Sequence, residues 1–377
     1  MIYLDNAATT QISKKSQEAR DFAENTYFSN SSSLHSFGMK SEELIDESKK
    51  IIGKVINANP NEIYFTKGAT ESNNIVISSF SGENSKAITT SIEHSSVFDS
   101  FNSYPYKEVF YLKTDRHGFI DLEELKEKID DDVKLVSIIY VNNEIGTIQD
   151  ISSISKIVKD KNIILHIDAT QALGKINCDV KKLGVDLMSF SAHKFHGPKG
   201  VGGLYVKKNI LSKLKPVLFG GRQQTISSGT DNHPAIYAMG IALNEHMENF
   251  NRESVKKLNL YMRNEILNNI ENIEINSPED TFAPHILSVA FKNIKSEVLL
   301  HMLEQEEIYV SSGSACSKGN NNRILQALGV DDDYKDGVIR FSFTDTTTKE
   351  DIDKTIKVLK NSISEIRKVM IWKLWYQ

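Results

Sequence analysis

Apolar residues recur along this chain with two different periods, and the alternation between them sets the expected architecture. From about residue 40, Leu44, Ile45, Ile51, Ile52, Val55 and Ile56 share one helical face, and the short run EIYFT follows. GATESNN then reads as a helix entry. Further strand candidates are KAITT, EVFYL, KLVSIIY, NIILHID and VDLMSFS, separated by helix-like segments such as DLEELKEKID. Such alternation predicts a mostly parallel sheet flanked by helices, an α/β layer.

After Asn232 the texture changes. A long charged stretch, helical to about Ile270, leads into ILSVAF, EVLLHML, IYVSS, VIRFSF and a final helix. In that helix Ile352, Ile356, Leu359, Ile363, Ile366 and Met370 step by four or three, and Thr347 with Glu350 is the expected capping box. No repeat, low-complexity tract or flexible linker separates the two parts, so they are expected to pack tightly.

The 377 residues are 40% apolar and 25% charged, enough for two domains with real cores. A formal charge of −5 without a basic block disfavours direct nucleic-acid binding or a polybasic membrane anchor. The first residues, MIYLDNAATT, lack the charge and apolar pattern of a signal peptide, and no run suits a membrane span; a cytoplasmic protein is expected. Only Cys178 and Cys316 occur, too few for a disulfide framework, and no Cys/His spacing suggests a metal site.

Chemistry concentrates in two segments. HIDATQALGK places Asp168 at the end of one apolar run, and SFSAHKFHGPKG places Lys194 after another, 26 positions later. A lysine amine condenses with carbonyl compounds, and an aspartate facing a pyridine nitrogen keeps that ring protonated; together they read as a site for pyridoxal 5'-phosphate. Ligands of open α/β sheets sit at the carboxyl ends of strands, where Gly68 to Thr70, Asp168 and Ser191 to Lys194 all fall. GATESNN could offer backbone N–H groups, the Thr70 hydroxyl and a helix dipole to a phosphate, although small residues there also make a plain N-cap. Ser191 and His193 could add phosphate donors. Cys316 lies in SSGSACSKGNNNR, too poor in apolar anchors to be buried, so its thiol is expected on an exposed, mobile loop. Cys178, between apolar neighbours, is expected to be packed and inert.

YLDNAATT, FTKGATESNN, SIEHSSV, YVNNEIGTIQDI, HIDATQALGK, DLMSFSAHKFHGPKG, SSGSAC and IRFS, in this order, resemble the motifs of the cysteine desulfurases over nearly the whole chain. The resemblance implies the fold of the fold-type I, class V aminotransferase-like enzymes: a large domain, residues 15–247, with a mostly parallel seven-stranded sheet, and a smaller α+β domain from 1–14 and 248–377. It implies homodimers that convert L-cysteine to L-alanine, leave the sulfur on Cys316 as a persulfide and pass it to a sulfur-acceptor protein. Lys194 would hold pyridoxal 5'-phosphate, Asp168 would pair with its ring nitrogen, Gln171 would bond its phenolic oxygen, and Ala69, Thr70, Ser191 and His193 would meet its phosphate. His94 would stack over the ring and take part in proton transfer. Asn143 would contact the phenolic side and the substrate carboxylate, which Arg340 would grip. Thr230 would reach the phosphate in the neighbouring subunit. SSGSAC resembles the branch with a long cysteine loop.

The chain departs from that pattern in GGRQQTISSGT, Gly220 to Thr230, where the family reads close to GGQERGxRSGT, so Arg222 and Gln223 receive no family role. A selenocysteine lyase or aminotransferase on the same fold, or a catalytically quiet cofactor-binding scaffold, are the rival readings.

Overall fold

The computed structural model describes residues 1–221, 224–312 and 323–375, the last six of these by backbone alone. Cys316, Arg222 and Gln223 therefore lie outside the described residues, as does the side chain of Met370.

Seven strands form the larger sheet: β1 (Ile63–Thr66), β2 (Gly82–Thr90), β3 (Tyr106–Leu112), β4 (Val133–Ile139), β5 (Ile164–Asp168), β6 (Leu187–Ser191) and β7 (Gly202–Val206). Their spatial order is β1-β7-β6-β5-β4-β2-β3. Every pairing from β6 to β3 is parallel, while β7 runs antiparallel to both β6 and β1. Two reversals cancel, so β1 again points the same way as β6. The carboxyl ends of β1, β2, β4, β5 and β6 consequently share one edge.

β5, β6 and β7 are buried at every position. Covered on both faces, β5 and β6 read in the sequence as mostly apolar runs and not as alternating ones. Ile138, Leu165, Ile167, Met188 and Phe190 are central to this core, each burial contributing roughly 1.5–3 kcal/mol relative to exposure.

A second core is built around four antiparallel strands in the order Ser311–Ser312, Val338–Ser342, Ile286–Phe291, Ile273–Ile275. Ile2 and Leu4 join it with Leu287, Phe291, Ile339 and Phe341, because the first strand, Ile2–Tyr3, pairs in parallel with Ile308–Tyr309. Chain start and chain end thus share one apolar cluster.

Two local expectations are corrected. The charged stretch up to Ile270 is not one helix but two, His233–Asn249 and Arg252–Asn269, because the Asn251 side chain accepts from the Ser254 N–H at 3.0 Å and starts a new helix. The final helix, Lys349–Trp375, is capped one residue later than expected. The Thr347 hydroxyl accepts from the Thr344 N–H in the preceding turn, leaving Thr348 and Asp351 to form the reciprocal pair: the Asp351 N–H donates to Thr348 Oγ1 at 3.1 Å and the Thr348 N–H to Asp351 Oδ2 at 2.9 Å. Ile352, Ile356, Leu359 and Ile363 are buried as the spacing requires. Cys178 is buried, and burial pushes its thiol pKa up, as expected of a packed and inert group. Among the described residues no helix is long and apolar enough to cross a membrane.

Candidate active site

At the shared carboxyl edge lies a cavity of about 950 Å³. Ala69, Thr70, His94, Asn143, Asp168, Gln171, Ser191, His193, Lys194 and Arg340 all line it. Residues from Ala7 to Arg340 meet there because five strand ends and the second core close around one space. Thr230 does not line this cavity; it is exposed on the surface.

Asp168 ends β5 with its carboxylate buried. Oδ2 accepts from Asn73 Nδ2 at 2.9 Å and Oδ1 from the Thr170 N–H at 2.9 Å, while no ion-pair partner exists among the described residues. Lys194 closes a short 3-10 turn after β6, and its Nζ donates to the carbonyls of Ala7 and Ala8 at 2.7 and 2.8 Å. The N-terminal segment therefore forms part of the site.

After β1 the chain passes through Gly68, whose φ of +149° disfavours any side chain, and enters the helix Ala69–Ser79. This helix has no side-chain cap, so its first N–H groups and its positive dipole end are available at the cavity wall. The loop is pressed close: a Cβ at Gly202 would stand 2.7 Å from the Gly68 Cα.

His94 caps the helix Ser95–Ser103, its Nδ1 accepting from the Ser96 N–H at 3.1 Å. A backbone N–H can only donate, so the neutral ring carries its proton on Nε2. The imidazole is open to the cavity, and the protein packed around it lowers its pKa by desolvation, with Lys194 and Arg323 adding to the effect against Asp168 and Asp99. His193 shares a 3.2 Å hydrogen bond with the Thr9 hydroxyl, and burial, together with Lys194 and Lys175, brings its pKa down to about 4. Both histidines are neutral near pH 7.

Gln171 donates from Nε2 to the Ala7 carbonyl at 2.8 Å, and its Oε1 accepts from Lys175 Nζ at 3.4 Å and meets His285 Nε2 at 3.3 Å. A carbonyl cannot donate, so Ala7 fixes the amide the right way round. The Arg340 guanidinium is buried. Nη2 pairs with Asp5 Oδ1 at 2.8 Å and Nη1 donates to the Asn143 carbonyl at 2.9 Å. Arg340 Nε and Asn143 Oδ1 find no partner among the described residues.

Several members of the site escape the sequence reading. Glu93 lines the cavity fully buried; its Oε1 accepts from Thr90 Oγ1 at 2.7 Å and from the Ile139 N–H at 2.9 Å, and burial raises its carboxyl to about 8. Its place beside His94 in SIEHSSV was the available signal. Asn73 sits one helical turn beyond Ala69, so periodicity could have found it, whereas Lys175 lies in the turns that follow Gln171. Arg323 also lines the cavity, and no motif marks it.

The profile of the family described as aminotransferase class-V matches residues 2–355. The chain is 39% identical to the cysteine desulfurase IscS of Buchnera aphidicola subsp. Baizongia pistaciae, over 99% of this chain and 96% of that protein. It is 38% identical to the cysteine desulfurase IscS of Dictyoglomus turgidum, over 99% and 97%. Among solved structures it is similar to a NifS-like protein, with a TM-score of 0.87 and 34% identity over 96% of this chain and 99% of that one. It is likewise similar to SspA in complex with cysteine, with a TM-score of 0.80 and 30% identity over 92% and 100%.

Proposed function

The chain belongs to the aminotransferase class-V family, and from that premise we propose a cysteine desulfurase that binds pyridoxal 5'-phosphate and moves sulfur from L-cysteine to Cys316. The observation that carries this reading is one cavity lined by Lys194, Asp168, His94 and Arg340, in a chain matched end to end by cysteine desulfurases. A cytoplasmic enzyme serving a protein sulfur acceptor belongs to the same proposal and rests on the sequence.

The cavity's residues fit the cofactor. A helix start without a side-chain cap suits a phosphate, toward which Ala69, Thr70, Ser191 and His193 would be directed. A buried carboxylate held by an amide and a backbone N–H, with no cation partner among the described residues, suits a protonated ring nitrogen at Asp168. Gln171, its amide orientation fixed by the Ala7 carbonyl, keeps an N–H for a phenolic oxygen, and Asn143 would contact that side as well. His94 would lie against the ring face and Lys194 would hold the aldehyde carbon. When bound, the cofactor withdraws electrons from the substrate's Cα and so weakens bonds around it.

The rest falls to the chain's own groups. Arg340 is suited to the substrate carboxylate, since Asp5 and Asn143 hold its planar fork in place while Nε stays open. His94 holds its proton at Nε2, on the edge away from the Ser96 cap. Cys316 would act as the thiolate: it attacks the substrate sulfur, an S–S bond forms, the Cβ–S bond breaks, and the carbon skeleton leaves as L-alanine. Atoms and electrons balance without an outside oxidant or reductant.

We also propose a homodimer. Phe28, Leu34, Met39 and Phe219 are exposed, and Ser31 meets Asp231 at 3.4 Å, which puts this apolar segment on the same face as Thr230. A second copy covering that face could receive Thr230 at its own cavity.

The function is tested by incubating purified holoenzyme with L-cysteine and a reductant. Alanine and sulfide should appear in equal amounts, mass spectrometry of a parallel sample without the reductant should find added sulfur on Cys316, and Cys316→Ser should lose alanine release at least a hundredfold. A variant that keeps full turnover, or sulfur found on Cys178, would contradict the assignment.

A further inference from the structure

Arg323 opens the short helix Arg323–Ala327, whose Ile324 and Leu325 pack with Ile92, Ile139, Ala290 and Val338. That cluster spans the carboxyl edge of the larger sheet and two strands of the smaller one, so the start of the helix is anchored at the seam between the cores. From there the guanidinium reaches the turn between β2 and the helix Ser95–Ser103. Nη1 donates to the Ser91 carbonyl and Nη2 to the Glu93 carbonyl, on either side of Ile92. The guanidinium carbon also lies 3.8 Å from the centre of the Phe98 ring, on the helix that His94 caps.

We infer that Arg323 is a positioning residue for His94, clamping the turn that carries the imidazole; this deepens, and rests on, the desulfurase reading. A two-pronged donor straddling Ser91 and Glu93 fixes the backbone one residue before His94, and the stacked Phe98 fixes the helix one turn after its cap. The imidazole between them has little freedom left. Lysine could supply the charge but not the fork.

The electrostatic side follows from what faces His94: Asp168 and Asp99 favour its protonation, Lys194 and Arg323 oppose it, and neighbouring Glu93, its carboxyl raised to about 8 by burial, adds little negative charge at pH 7. Protonation of Nδ1 would also break the cap on Ser96. Removing the Arg323 charge therefore moves the His94 pKa upward, and activity that needs the neutral ring fades at a higher pH.

The test compares wild type, Arg323→Gln and Arg323→Lys as ¹³C-histidine-labelled holoenzymes, with the His94 signal assigned by its loss in His94→Asn. Arg323→Gln should raise the His94 pKa, shift the acid limb of kcat/KM for alanine release the same way and lower kcat/KM about tenfold. Arg323→Lys should lower kcat/KM with the His94 pKa near that of wild type. A His94 titration in Arg323→Gln identical to wild type would overturn the inference. Should the wild type release no alanine, the desulfurase reading falls, and the NMR titration still decides the role of Arg323.

Discussion

At the scale of single residues, charge without a counter-charge is the recurring theme of the site. Lys175 is the extreme case: its ammonium is fully buried beside Gln171, and burial, with Lys194 and Arg340, brings its pKa down to about 7 from 10.5. The unfolded chain therefore binds more protons than the folded one between pH 7 and 10.5, and this group's contribution to stability improves as pH rises through that window. Lys175→Met removes the effect. Urea unfolding should show wild type gaining roughly 2 kcal/mol on the variant between pH 7 and pH 9, with the variant the more stable at pH 7. Parallel curves would mean that the amine stays charged in the fold. Asp168 and Lys194 were legible in the sequence because each follows an apolar run that could only be a strand. Lys175, Glu93 and Arg323 were not, because their significance comes from burial and from neighbours distant in the chain. A glutamate beside His94 looks ordinary until its carboxyl is found enclosed.

Among the elements, legibility followed burial on both faces. The runs that became β4, β5 and β6 announce themselves as strands because most of their positions are apolar, and the interior Ser137, His166 and Ser189 satisfy one another by hydrogen bonds. β7 was not found from its pattern. Its GGLYV opens with two glycines, which weaken any strand reading, and the reason for them is tertiary: a Cβ at Gly203 would stand 2.5 Å from the Phe190 ring, and one at Gly202 would collide with Gly68. The helix split at Asn251 and the one-residue shift of the final cap have the same origin. Asn251 and Thr347 were each free to serve a turn or a helix, and side-chain hydrogen bonds decided between them.

For the molecule as a whole, the N-terminal segment ties the parts together: Leu4 sits in the second core, the Ala7 and Ala8 carbonyls receive Lys194, and Asp5 holds Arg340. The proposed homodimer would bring Thr230, exposed and outside its own cavity, to the cavity of a second copy. Sedimentation at micromolar concentration should give a homodimer, and Thr230→Val should leave it dimeric while weakening cofactor retention about tenfold, the worth of one hydrogen bond to a charged group. A monomer that retains the cofactor would refute that arrangement. The whole account stands on the amine at position 194, and reduction of the holoenzyme with borohydride, followed by peptide mapping, addresses it most directly. The pyridoxyl group should be found on the peptide containing Lys194; its discovery on another lysine, or the lack of any modified peptide from cofactor-loaded protein, would contradict the account.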